Sequence, residues 1–178
     1  MKIIYLICLL SFIGCTNKEI SEKNNSGQSK YSFENIFSYN KEDTIFIKSR
    51  FTDCGEWGGH EEFIKVYRLE RKIGLTYIKY KVTCGNIDSS GSPIQTKNIT
   101  RNFILSDSQQ LSLMTYFNNL MKFKFIDKEL GNSGNSFLIE DSKGKLRLSQ
   151  YGNNIQLLNN YNSLMKSLGL SKVIIENK

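Results

Sequence analysis

The sequence predicts an α+β domain, a mostly antiparallel sheet with two amphipathic helices, and three observations carry that prediction. Stretches with strand character come early in the chain, two segments of helical period lie in its second half, and nowhere do strands and helices alternate in βαβ fashion. With 178 residues, 39% of them hydrophobic, the chain has room for one domain of ordinary size and a tail. No internal repeat is visible.

"DTIFIKSRF" alternates, placing Ile45, Ile47 and Phe51 on one side and Phe46, Lys48 and Arg50 on the other, the pattern of a half-buried strand. "EFIKVYRLE" and "TYIKYKVTC" are β-rich and flank "RKIG", a connection short enough for an antiparallel hairpin turning near Lys72 and Ile73. Pairing from that turn brings Glu61–Phe63 beside Val82–Cys84, and so Cys84 near His60. "GNIDSSGSPIQTK" reads as irregular surface chain because of its Gly, Ser and Pro, with "NITRNFIL" as a fourth strand after it.

The period then changes. Ser106 followed by Gln109 is a capping-box pattern, and Leu111, Met114, Phe117, Leu120 and Met121 recur at helical spacing in "LSDSQQLSLMTYFNNLMKF". This stripe is core packing rather than a cofactor pocket. "SFLIEDSKGKLRLSQ" predicts a hairpin turning at Asp141–Gly144, with Leu146 and Leu148 on one face. A second helix opens at Asn153 or Asn154 and ends at Gly169, with a stripe through Ile155, Leu158, Tyr161 or Asn162, Met165 and Leu168.

The N-terminus, "MKIIYLICLLSFIGC", has a basic start at Lys2, an apolar run from Ile3 to Ile13 and a small residue before Cys15. That is a secretion signal, too short for an ordinary spanning helix. Phe12-Ile13-Gly14-Cys15 resembles the lipobox of bacterial lipoproteins, with Phe12 where Leu is usual. The resemblance covers only the leader and Cys15. It implies cleavage before Cys15, lipidation of its sulfur with further acyl (palmitate-type) chains, and a membrane-anchored address in the cell envelope. Thr16, in place of Asp, favours the outer membrane by the sorting rule of enteric bacteria. The expected organisation is therefore a signal peptide over 1–14, a lipidated cysteine and polar tether over 15–30, and a single domain over 31–178 that begins at "YSFENIFSY". Once Cys8 leaves with the leader and Cys15 carries lipid, Cys54 and Cys84 remain, and two cysteines in an oxidising compartment imply one disulfide.

One stretch concentrates unusual residues. "DCGEWGGHEE", Asp53–Glu62, holds three glycines, the chain's one Trp and one His, and four carboxylates. The scaffold reading comes first: Gly55, Gly58 and Gly59 allow tight turns, and Trp57 lies against a Cys54–Cys84 bridge as a small accessory core, with His60 and the acids solvated. The recognition reading uses the same geometry, with Trp57 as anchor and Glu56, His60 and Glu61 beside it, facing a protein or other envelope ligand, as in an inhibitor or an immunity-type partner. The two are compatible.

Catalysis finds less support. His60-Glu61-Glu62 lacks the second His of HExxH, no nucleophile-elbow sequence accompanies His60 and Asp53, and no EF-hand loop is present. If the chain is an enzyme, an envelope hydrolase using His60, Glu61, Glu62 and Asp53 is the form it takes. No metal and no cofactor is expected, since His60 is the one soft ligand besides the cysteines. One unit of the formal net charge of +7 leaves with Lys2, and the remaining bases form no dense run and no RNP1 pattern. Nucleic acid is excluded as a partner on that ground and by the address; anionic envelope polymers and lipid head groups suit such charge better.

Overall fold

Alternation in "TIFIKSR" sets the sheet's two faces. Ile45 and Ile47 are buried while Lys48 between them and Ser49 is exposed, so strand β1 (Thr44–Arg50) is one-sided, as its period requires. The structure is a computed structural model that describes residues 44–55, 58–126 and 133–175. The leader, Cys15, the tether, the Tyr31–Tyr39 stretch, Glu56 and Trp57 lie outside the described residues.

After β1 come β2 (Glu61–Leu69), β3 (Lys72–Ile87) and β4 (Pro93–Ile104), then helix α1 (Asp107–Ile126), the hairpin β5 (Ser136–Asp141) and β6 (Arg147–Tyr151), and helix α2 (Ile155–Ser167). The six strands form one antiparallel sheet in the order β4-β3-β2-β1-β5-β6. Its inner face supplies Ile64, Val66, Leu75, Phe137 and Ile139 to a single core. Leu113, Tyr116 and Leu120 from α1 and Leu157, Tyr161 and Met165 from α2 join it. Each large apolar side chain buried there contributes about 1.5–3 kcal/mol. The opposite face holds half-buried Phe46 and Phe63, stacked at 5.6 Å. The fold is α+β, as the sequence predicts.

Both helices start where their caps lie. Ser106 N–H donates to Gln109 Oε1 at 3.0 Å and Gln109 N–H to Ser106 Oγ at 3.3 Å, a reciprocal capping box. Asn154 accepts from Gln156 N–H at 2.8 Å and caps α2, while Gly169, at φ 69°, follows its C-terminal end.

Three expectations require correction. The first hairpin turns at Glu70–Arg71, with Glu70 at φ 52°, so Glu62 pairs with Lys79 and Phe63 with Ile78 rather than with Val82–Cys84. The segment expected to be irregular is mostly strand: β3 runs to Ile87, β4 starts at Pro93, and only Asp88–Ser92 turns, organised by Asp88 Oδ1, which accepts from Ser90 N–H and Ser92 N–H. Pro93 is tolerated because it is the first residue of an edge strand. In the helices the buried stripe is rotated. Leu111, Met121 and Ile155 are exposed, and Tyr116, Asn160 and Leu164 are buried instead.

Beyond Lys79 and Ile99, β3 and β4 pair only with each other and form a two-stranded arm past the end of β2. Cys54 and Cys84 are joined, which ties this arm to the loop between β1 and β2. Among the described residues no helix is long and apolar enough to cross a membrane.

Candidate functional site

The loop from Phe51 to His60 closes on itself through its own backbone. Phe51 N–H donates to His60 O at 3.0 Å, Cys54 N–H to Gly58 O at 3.2 Å, and Gly58 N–H to Gly55 O at 3.2 Å. A side chain at Gly59 would put its Cβ 1.6 Å from Phe51 O, so glycine is obligatory there. The arm packs on the same loop: Gln95 Nε2 donates to Gly59 O at 2.9 Å, and Gln95 Oε1 accepts from Glu61 N–H at 3.3 Å. The bridge therefore joins two segments that hydrogen bonds also hold.

His60 is not solvated. It is 8% exposed, its ring stacks on Phe51 at 5.0 Å, and both ring nitrogens face carboxylates. Nδ1 meets Asp53 Oδ2, and Nε2 lies 3.3 Å from Glu62 Oε1. A neutral imidazole has one N–H and can donate to only one of these, so the arrangement suits the imidazolium. Burial works against that charge, but the hydrogen bonds to Asp53 and Glu62 prevail and hold His60 above its ordinary value.

Glu62, on the inner face of β2, is 1% exposed, and it ends a chain of polar contacts. Besides His60 it takes Lys79 Nζ at 3.1 Å on Oε1 and the Tyr161 hydroxyl at 2.8 Å on Oε2. Burial raises its pKa, yet the hydrogen bonds from His60 and Tyr161 and the charge of Lys79 hold it below the ordinary carboxylate range. Asp53 behaves alike, its partial burial outweighed by His60. Burial and the Glu62 charge push the phenols of Tyr77 and Tyr161 upward, keeping both protonated.

The structure thus brings together Asp53, His60 and Glu62 among the residues singled out from the sequence, and places Glu61 apart from them. Glu61 is exposed at the start of β2. Sequence reasoning missed Lys79, Tyr161 and Phe51, which complete the cluster. Only the strand register and helix α2 bring the first two there. The carboxylates occupy opposite sides of the imidazole and do not converge, and among the described residues no group of three His, Cys, Asp or Glu is arranged to hold a metal ion.

Beside Glu61 the sheet carries a groove of about 450 Å³, lined by Lys48, Arg50, Phe63, Tyr80 and Tyr151 among others. Its rim combines aromatic rings with charges of both signs. Against family models, curated proteins and solved structures, the chain has no match.

Proposed function

We propose that the chain is a lipid-anchored binding module of the bacterial cell envelope, tethered through Cys15 and presenting the disulfide-pinned Asp53–Glu62 loop to a protein or other envelope ligand. The apolar leader ending in Gly14-Cys15 supports the anchor. One observation carries the choice of binding over catalysis: both nitrogens of His60 are occupied by carboxylates of the protein itself. An imidazole so held has no free lone pair with which to take a proton from a nucleophile or a water. The same contacts, with the bridge and the obligatory Gly59, hold the loop's described residues in place, and a preorganised surface loses little entropy on binding.

Contact falls to the outward residues of this region. Glu61 is exposed, and the adjoining groove offers Phe63, Tyr80 and Tyr151 with Lys48 and Arg50, the aromatic and Arg chemistry typical of interface anchors. His60 acts through the loop's shape. The envelope-hydrolase reading draws on the Asp53–His60 pair, an acid orienting an imidazole, but Glu62 sits on the nitrogen that a reacting group needs.

Capture from envelope extract by the tagged domain, repeated with Trp57→Ala and Glu61→Gln, tests the proposal. An anchor residue of this kind is worth about 2 kcal/mol or more, roughly thirtyfold in affinity. Retained capture by both variants counts against the loop as the contact surface. A Trp57→Ala domain that melts early while binding normally assigns the loop to scaffold alone.

A further inference from the structure

Between α1 and α2 runs a second groove, of about 420 Å³, a volume in the range of small-ligand sites. It lies on different elements from the Asp53–Glu62 loop and does not depend on that loop's role. Its composition is unusual for this chain. Charged residues make up 23% of the sequence, yet none of the described residues that line the groove is charged. Seven of the ten described residues that line it carry an amide or an aliphatic hydroxyl.

The hydrogen bonds already made inside the groove decide what it lacks. Ser112, Thr115 and Ser163 each donate their hydroxyl proton to a backbone carbonyl one turn back, at 2.9, 2.9 and 2.8 Å. Their oxygens keep acceptor capacity and have spent their only proton. Asn160, 7% exposed, accepts from Asn119 Nδ2 at 2.9 Å and donates to Tyr116 O at 3.1 Å. That network commits one Asn119 donor and leaves its carbonyl oxygen as a further acceptor. Gln156 and Asn159 add amides on the α2 wall, and Phe123 supplies a ring.

We propose that this groove binds a neutral, hydroxyl-rich ligand, a short stretch of uncharged saccharide. Sugar hydroxyls donate to the acceptors of Ser112, Thr115, Ser163 and Asn119 and accept from the remaining amide protons, and a C–H face of the ring packs on Phe123. An anionic chain meets acceptors here with no cation among the described lining residues to offset them. A cationic one loses its hydration with no carboxylate to replace it.

The test uses the ¹⁵N-labelled domain and neutral hexasaccharides, maltohexaose and cellohexaose, at up to about 10 mM, enough to saturate a site of about 1 mM Kd. Side-chain amide signals of Asn119, Gln156, Asn159 and Asn160 are followed, with a polygalacturonate fragment and oligolysine as charged comparisons. A neutral probe is expected to give saturable shifts confined to these amides. Asn119→Ala is expected to weaken binding at least about tenfold, and Ser163→Glu, at an exposed position, to abolish it with an unchanged melting temperature. Groove signals unmoved by both neutral probes, or moved only by a charged one, overturn the proposal. So does binding that survives Ser163→Glu.

Discussion

The hydroxyl of Tyr161 donates to Glu62 Oε2 at 2.8 Å, joining helix α2 to strand β2 across 99 residues of sequence, with both side chains buried. This contact connects the core to the loop, because the other oxygen of Glu62 faces His60 and Lys79. A buried carboxylate is tolerated only when its lone pairs are used, and here they are.

Tyr161→Phe removes one charge-assisted hydrogen bond and is expected to destabilise the domain by about 1.5–3 kcal/mol. Glu62→Ala strands His60, Lys79 and Tyr161 together and is expected to cost about 3–5 kcal/mol. Urea denaturation of both variants checks the order. A Glu62→Ala variant as stable as the parent contradicts the role given to this carboxylate.

Stability follows pH with two opposite signs. His60 has a raised folded value, so its contribution is complete below its ordinary value of 6.5 and is lost as pH rises through the raised one. Asp53 and Glu62 have lowered folded values, so theirs is present above the ordinary 3.8 and 4.5 and is lost as pH falls through the lowered ones. Melting temperature should therefore be highest in mildly acidic solution and fall on both sides. In His60→Gln the alkaline decline should flatten. An unaltered alkaline limb in that variant argues against His60 as its source.

The Cys54–Cys84 bridge closes a loop between residues 30 apart and holds an arm that otherwise is a two-stranded ribbon. Such ribbons are marginally stable alone. Replacing both cysteines by Ser should lower stability by about 2–5 kcal/mol. Hydrogen exchange should speed up first in the arm, residues 80–97, and in the loop. Uniform acceleration across the sheet instead means that the bridge acts on the whole domain.

Two glycines separate steric from conformational demand. Gly59→Ala drives a Cβ into Phe51 O and should cost more than about 3 kcal/mol. Gly85→Ala, at φ 83° with open space around it, meets only backbone strain, about 1–2 kcal/mol. Equal effects in thermal melts rule out the crowding assigned to Gly59.

How much of this was readable in the sequence depends on the range of the forces involved. The caps at Ser106 and Asn154 and the alternation of Ile45 and Ile47 are local, and they are found where the pattern puts them. The first hairpin's register was not legible, because Glu70 adopts a left-handed conformation that glycine usually takes, which closes the hairpin over Glu70–Arg71 in place of the four residues of "RKIG". The arm was hidden by its Gly, Ser and Pro content, which the bridge and the Gln95 contacts offset. The helix stripes rotated because Tyr116 and Asn160 are polar by composition yet buried. His60 looked solvated for the same reason that Tyr161 was read as helix core and not as part of the site: their meeting through Glu62 is a product of the whole fold.

The charge state of the His60 ring tests the account most directly. With the ring ¹⁵N-labelled, both nitrogens of most molecules are expected to carry protons at pH 6.5, each donating to a carboxylate, and the signals should revert to one protonated and one bare nitrogen as pH rises through a value above that ordinary one. A ring that is mostly neutral at pH 6.5, with one bare, basic nitrogen, contradicts the account, since it leaves His60 free to accept a proton and makes the hydrolase reading the better one.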